Sequence, residues 1–212
     1  MFYEFYWIRK DLGNWNDIFV ASIGCGPCTE LFGAISQWRT LGKQDACFHF
    51  RGFDIEPLWT PVMQQACSYF NTADVATYSQ DIFSYYLANQ ERVDVIVLNY
   101  MLSDMKKFHV AQFNGFLTNL EAFIRQKRPR YILINDIYLL VSLSASKDLL
   151  KFMKNAGLAF RYAALQFHYF HPFIGQYGKQ IDKQPFAMTD AAIVRKYNPF
   201  SEVNSIQTII KF

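Results

Sequence analysis

Runs of apolar residues alternate along the chain with stretches in which apolar positions return at helical spacing, the pattern of a layered α/β domain. "DIFVASI" (17–23) predicts a first strand. In "CTELFGAISQW", Leu31, Ile35 and Trp38 are spaced for one helical face, so a helix begins directly after the turn that closes the strand. "CFHFRGFDI" (47–55) predicts a second strand, and "TPVMQQACSYF" (60–70) a helix with Thr60 as cap and Pro61 at its first position. A weaker third strand falls in "VATYSQ". "VDVIVLNYM" (93–101) is almost unbroken in apolar character, as in a parallel strand covered on both faces. Residues 105–127 predict one long helix or two short ones, Pro129 punctuates, and "YILINDIYLL" (131–140) is the fifth strand. "SASKDLLKFMKNAG" (144–157) reads as a helix with a serine cap and a glycine stop. Beyond it, "LAFRYAALQFHYF" and "AAIVRKY" are strand-like with no helical pattern between them, which predicts a final antiparallel pair.

No repeat, low-complexity tract or linker divides the 212 residues, so residues 1–212 read as one domain. An apolar fraction of 51% and an aromatic fraction of 18% exclude a disordered chain. The net charge of +3 is too small to imply a polyanionic partner. "RQKRPR" (125–130) concentrates four cations, which suits the C-terminal end of a helix; contact with RNA or a membrane surface is the lesser alternative. Four cysteines and no long apolar span or secretory leader point to a soluble intracellular protein without a disulfide framework.

Candidate chemistry gathers at the ends of the strands. In "SIGCGPC", Gly24 and Gly26 fall where the chain leaves the first strand, allowing positive φ and close approach of a ligand to backbone. The helix that follows leaves its first amides free to receive polar groups. A plain tight connection with cysteines as small filler explains that turn as well. Asp54 in "GFDIEP" ends the second strand, where a carboxylate accepts from ribose hydroxyls in a doubly wound fold. In "SQDIF", Asp81 precedes Ile82 and Phe83, a pairing that accepts from an exocyclic amine while packing on a flat base. Asn99, Tyr100, Ser103 and Asp104 cluster in "LNYMLSD" after the fourth strand.

Those four segments, in that order, resemble the class I S-adenosylmethionine-dependent methyltransferases over residues 17–197. The resemblance implies a Rossmann-like, doubly wound sheet, mostly parallel with an antiparallel last strand and helices on both faces. It implies S-adenosyl-L-methionine as cofactor, held by Ser22, Gly24, Cys25 and Gly26 in the turn, Asp54 and Ile55 after the second strand, and Gln80, Asp81 and Ile82 after the third. Asn99 and Tyr100 would flank the sulfonium and the reaction cleft. Two positions depart from the family pattern: Ser22 stands where an acid is common, and Cys28 where a third glycine is common. A serine cannot supply a carboxylate's charge-assisted contact to an ammonium group, and these two departures with the short N-terminus leave a catalytically inactive S-adenosylmethionine-binding or scaffold subunit as the alternative to an enzyme.

Methyl transfer needs an acceptor aligned with the methyl group, and a base only where the acceptor must lose a proton. Asp104, Asp136 and one histidine of "HYFH", His168 foremost, are the candidate bases. The spacing of His168 and His171 does not suit a shared metal in a strand, and Cys25 with Cys28 has no second pair, so no metal site is expected. "NYML" has the asparagine of the DNA amino-methyltransferase motif but lacks its prolines, and no cationic footprint is present. A small molecule or protein side chain is favoured as acceptor over RNA. The aromatic start, residues 1–16, offers a short helix packed on the sheet or an incomplete cover. Crowding of Phe2, Tyr3, Phe5, Tyr6, Trp7 and Trp15, and of Phe167, Tyr169, Phe170 and Phe173, points to a homodimer surface near the cleft, or to the two groups packing on each other.

Overall fold

The computed structural model describes residues 2–137, 140–168 and 204–212. Seven strands form one sheet in the order β3-β2-β1-β4-β5-β7-β6. The strands are β1 (Ile18–Ile23), β2 (Phe48–Phe53), β3 (Asp74–Tyr78), β4 (Val95–Asn99), β5 (Tyr131–Ile137), β6 (Arg161–His168) and β7 (Asn204–Lys211). The first five run parallel, and β7 lies antiparallel between β5 and β6. This is the mostly parallel, Rossmann-like architecture expected from the sequence. The strand that partners β6 is "NSIQTIIK" and not "AAIVRKY", which lies outside the described residues. Its alternation of Ser205, Gln207 and Thr208 with isoleucines hides a buried strand inside a polar-looking tail.

Alternate strand residues face two cores, because a strand turns successive side chains to opposite faces. On one face Val20, Phe50, Val97, Leu133 and Ile209 pack under the helical segments α1 (Phe2–Trp7), α2 (Arg9–Gly13), α3 (Thr29–Thr40) and α4 (Thr60–Tyr69). On the other, Ile23, Phe53, Leu98, Ile134 and Ile210 pack under α5 (Ile82–Ala88), α6 (Leu102–Phe108), α7 (Val110–Lys127) and α8 (Leu140–Asn155). Residues 105–127 are therefore two helices, α6 beginning before them, and α8 begins four residues ahead of its expected serine cap. Helix α5, seven residues long and crowded with aromatic side chains, escaped the periodicity reading. Among the described residues no helix is long and apolar enough to cross a membrane.

The aromatic N-terminus packs on the sheet. Phe5, Ile8, Leu12 and Trp15 are buried beside α3 in the first core, whereas Tyr6 and Trp7 stay exposed. Burial of Phe5 and Trp15 removes them from any set available at a surface, and of the two readings of the start the short helix packed on the sheet is the one observed. Phe2 and Tyr3 belong to α1, Phe167 to β6, and Tyr169, Phe170 and Phe173 lie outside the described residues. The basic stretch 125–130 ends α7 at the amino-terminal edge of the sheet, where Arg128 takes φ +50°. Arg125 bonds Glu121 and the Ala156 carbonyl, Lys127 the Asn89 carbonyl, and Arg130 lies 4.4 Å over the Trp15 ring.

Asp94 braces the same edge. Its buried carboxylate accepts from Phe19 N at 3.1 Å and Arg92 Nε at 2.9 Å, and its carbonyl accepts from Arg130 N at 2.8 Å. Three strand starts hang on this residue. Asp94→Ala should cost about 1–3 kcal/mol, because the Phe19 amide loses its partner inside the protein. Urea denaturation should show that loss, with Asp94→Asn recovering part of it by keeping an oxygen toward Phe19.

Candidate functional site

The order of the strands reverses between β1 and β4, and a doubly wound sheet opens a crevice at the carboxyl ends of such a pair. The turn after β1 forms one wall. Gly24 takes φ +65° and Gly26 φ +45°, in the left-handed region where a side chain is strained. A Cβ on Gly24 would stand 3.2 Å from Met101 Cγ, so the turns after β1 and β4 touch there. Cys28, also left-handed at φ 56°, starts α3 without a side-chain cap.

The turn is fastened to the end of β2. Asp54, half-buried, accepts from Gly26 N at 2.8 Å through one oxygen and from Glu56 N at 2.9 Å through the other. Cys25 N donates to the Phe53 carbonyl at 3.0 Å, and Asp54 N to the Tyr78 carbonyl at 3.1 Å. Each carboxylate oxygen keeps acceptor capacity after one such bond. Trp59 lies against Gly26, and Ile55 is 79% exposed beside Asp54. Among the described residues, then, the sequence-predicted Gly24, Gly26, Asp54 and Ile55 meet at one rim.

Other expected contacts face inward. Ser22 is fully buried, Cys25 packs its sulfur 3.4 Å from Met63 Sδ, and Ile82 belongs to the core under α5. Whatever these three offer at the rim comes from their backbone. The Cys25 thiol is pushed far up by its hydrogen bond with Cys28 and by burial, which opposes thiolate chemistry in the CxxC. Gln80 and Asp81 are exposed after β3, and Asp81 accepts from Ser84 N at 2.8 Å as the cap of α5. Among the described residues no cluster of His, Cys, Asp and Glu is arranged to hold a metal.

The proposed catalytic residues separate. Tyr100 takes φ +56°, a conformation costing a non-glycine residue roughly 1–2 kcal/mol. Its amide donates to the Asn135 carbonyl at 2.7 Å, and its side chain is 42% exposed at the rim. Asp104 is exposed in the first turn of α6. Asp136 is fully buried and accepts from Ser103 N at 2.9 Å and Ser103 Oγ at 2.6 Å. It caps α6 from β5, on the face opposite α3, a placement that corrects its reading as a base open to the cleft. His168 ends β6 at the carboxyl rim by register, opposite Asn204; its ring, like all of His171, lies outside the described residues.

Asn99 leads to what the sequence reading missed. It is buried, and its amide nitrogen donates to Thr29 Oγ1 and Glu30 Oε2, both at 3.3 Å. Its oxygen accepts from Asn135 Nδ2 at 2.8 Å, and Asn135 Oδ1 accepts from Gln207 Nε2 at 3.4 Å. Asn99, Asn135 and Gln207 sit opposite one another in register across β4, β5 and β7. Glu30, in the first turn of α3, is 1% exposed and takes a 2.5 Å hydrogen bond from Ser22 Oγ. A polar row thus runs under α3 along the rim and ends on a buried carboxyl. Two signals for it were present in the sequence: an amide set among the apolar residues of each of these strands, and Glu30 four residues before inward-facing Ala34.

Burial raises the Glu30 pKa from 4.5 to about 7, against the opposing hydrogen bonds from Ser22, its own backbone and Asn99. Between those two pH values the folded chain keeps a proton that the unfolded chain has released. This residue therefore makes stability fall as pH rises from 4.5 through 7, by about 3 kcal/mol in full. Glu30→Gln should remove that slope. Urea denaturation at pH 5 and pH 8 should give a smaller difference for the variant, and an unchanged difference would show that Glu30 is ionised throughout.

No family model matches the chain, and no curated protein matches it. Solved structures do. The precorrin-6y C5,15-methyltransferase of Geobacter metallireducens superimposes with TM-score 0.51 at 11% identity, covering 97% of this chain and 87% of its own. An rRNA methylase of Streptococcus thermophilus gives 0.50 at 10%, covering 96% and 92%. A Streptococcus mutans protein described as a methyltransferase, solved in complex with SAH, gives 0.52 at 12%, covering 98% and 97%. The chain has the fold of the class I S-adenosylmethionine-dependent methyltransferases.

Proposed function

We propose that this chain is an S-adenosylmethionine-dependent methyltransferase acting on a small molecule or a protein side chain. The observation that carries this reading is the turn after β1. Two glycines at positive φ stand at the strand-order reversal and are fastened through Gly26 N to Asp54 at 2.8 Å. Such a turn lets a ligand lie against backbone, and the adjacent carboxylate keeps lone pairs for two vicinal hydroxyls. The fit to the cofactor rests on this donor set: bare backbone at Gly24 and Gly26, Asp54 for the ribose, exposed Ile55 for a flat base, and the backbone after Gln80 and Asp81 for its amine.

When bound, the cofactor supplies a methyl group activated by a sulfonium. The residues of the chain have the tasks of orientation and exclusion of water, which supply much of the rate in a displacement that needs two centres aligned. Asn99 works from beneath, bonded on both sides and fixed in direction. Tyr100, strained and half-exposed, faces the acceptor side. Where the acceptor is a hydroxyl or amine that must lose a proton, Asp104 is the exposed carboxylate nearest in sequence to that wall. Arg125, Lys127 and Arg130, three of the four cations of 125–130, are engaged at the opposite edge of the sheet, which favours a small or protein acceptor over RNA even though one structural neighbour is an rRNA methylase.

Calorimetry should give micromolar-range binding of S-adenosylmethionine and S-adenosylhomocysteine and much weaker binding of NAD; the reverse order would move the chain to the dinucleotide enzymes. Asp54→Ala should weaken S-adenosylhomocysteine binding by about 1–3 kcal/mol, through lost charged hydrogen bonds and a loosened Gly26. Its thermal transition should move little by comparison. Labelled methyl transfer to a metabolite and protein panel, abolished by the same substitution, completes the test.

A further inference from the structure

We propose that Glu30 is the buried counter-charge for the ammonium group of the cofactor's amino-acid half, acting through Ser22 and Asn99, and that arrival of this group drives the proton off its carboxyl. The inference rests on the cofactor assignment above and goes beyond it. Ser22, near the end of β1, carries a hydroxyl and cannot itself supply a charge-assisted contact to an ammonium group. Helix α3 brings a carboxyl to that place from eight residues further on, with Glu30 Oε1 2.5 Å from Ser22 Oγ.

The surroundings of Glu30 are short of positive charge. Ser22 faces it from β1, Thr29 lies beside it on α3, and Asn99 faces it from β4. Asn135 and Gln207 stand behind Asn99 on β5 and β7. All are neutral. Its titratable neighbour in the turn after β1, Cys25, is an acid, and the charge of the amino terminus, which also acts on the buried Glu4 of helix α1 packed against α3, contributes the last and smallest influence on it. Among the described residues no lysine, arginine or histidine bridges it. A carboxylate buried without a cation is costly, and the usual relief is to keep the proton.

The amide row is polarised toward the same point. Gln207 donates to Asn135, Asn135 to Asn99, and Asn99 to Glu30. Each donor points at the carboxyl, and at the far end the buried Gln207 Oε1 has no hydrogen-bond partner among the described residues. A row aligned this way favours negative charge at Glu30 once a cation stands near enough to offset burial. The ammonium of a cofactor held by the turn after β1 would be such a cation. The step balances simply: the Glu30 O–H bond breaks, its electron pair stays on the carboxylate, the proton passes to solvent, and the ammonium keeps its own protons.

Calorimetric titration of the full chain with S-adenosylhomocysteine, repeated in buffers of different ionisation enthalpy, counts the protons released. With an acid near pH 7, release should be roughly half a proton per ligand at pH 7, near one at pH 6 and near zero at pH 8.5. Decarboxylated S-adenosylhomocysteine, which keeps the amine, should release the same number; methylthioadenosine, which lacks it, should release none. Glu30→Gln should abolish release and shrink the preference for S-adenosylhomocysteine over methylthioadenosine by at least about tenfold. Binding of S-adenosylhomocysteine without buffer-dependent heat, or equal release with methylthioadenosine, overturns the proposal and leaves the cofactor assignment standing. Failure of S-adenosylhomocysteine to bind at all overturns both. The wild-type series decides the matter even if the variant does not fold.

Discussion

A carboxyl group held away from water needs a partner at each oxygen and, with no cation beside it, holds its proton more tightly, and the rim of this sheet is organised around that requirement at Glu30. Ser22 meets one oxygen and Asn99 the other. Asn99 is then turned so that its own oxygen needs a donor, which Asn135 supplies, and Asn135 in turn is met by Gln207. The demand passes across three strands because these residues stand in register on one face. A parallel sheet covered by helices on both sides has no other place for such a row, since one step inward along the same strands lie Val97, Leu133 and Ile209 in the core.

Burial on the two faces also explains how much of the fold was legible. Strands β1, β4 and β5 are continuous apolar runs bounded by turns and helices, so periodicity locates them within a residue or two at their starts. Strand β7 alternates and β3 is half-exposed, and their patterns weaken accordingly. Helix α5 is short and carries Phe83, Tyr85, Tyr86 and Leu87 in a cluster that no single helical face explains. Phe53, Tyr78, Tyr85 and Tyr86 pack as an aromatic group at the ends of β2 and β3, so the sequence of α5 records tertiary packing more than helical propensity.

The candidate site was legible where chemistry depends on backbone and obscure where it depends on which way a side chain turns. Gly24, Gly26 and Asp54 follow from chain reversal and strand order alone. Asp136 and Asn99 look equivalent in sequence, each a polar residue closing an apolar run. They differ because Asp136 falls on the α6 face, where a helix start requires a cap, and Asn99 on the α3 face, beside Glu30. Glu30 itself reads as an ordinary acid in the first turn of a helix, favourable there through the dipole and normally exposed. Its burial follows from Ser22 and Asn99 standing in reach of it, which the spacing of the chain does not display.

The same row that accommodates Glu30 also fixes the opposite wall of the crevice. The Asn135 side chain bonds Asn99, while its carbonyl accepts from Tyr100 N at 2.7 Å. That backbone bond lies at the left-handed Tyr100, and the next residue, Met101, rests on Gly24. Strain of this size persists where the surrounding structure over-determines it, and here β5 holds Tyr100 from one side while the glycine turn receives Met101 on the other. Gly24 is constrained twice, by its own φ and by Met101. The turn that would receive the cofactor and the wall that would face the acceptor are consequently one mechanical unit, joined above through Met101 and below through Asn99 and Glu30.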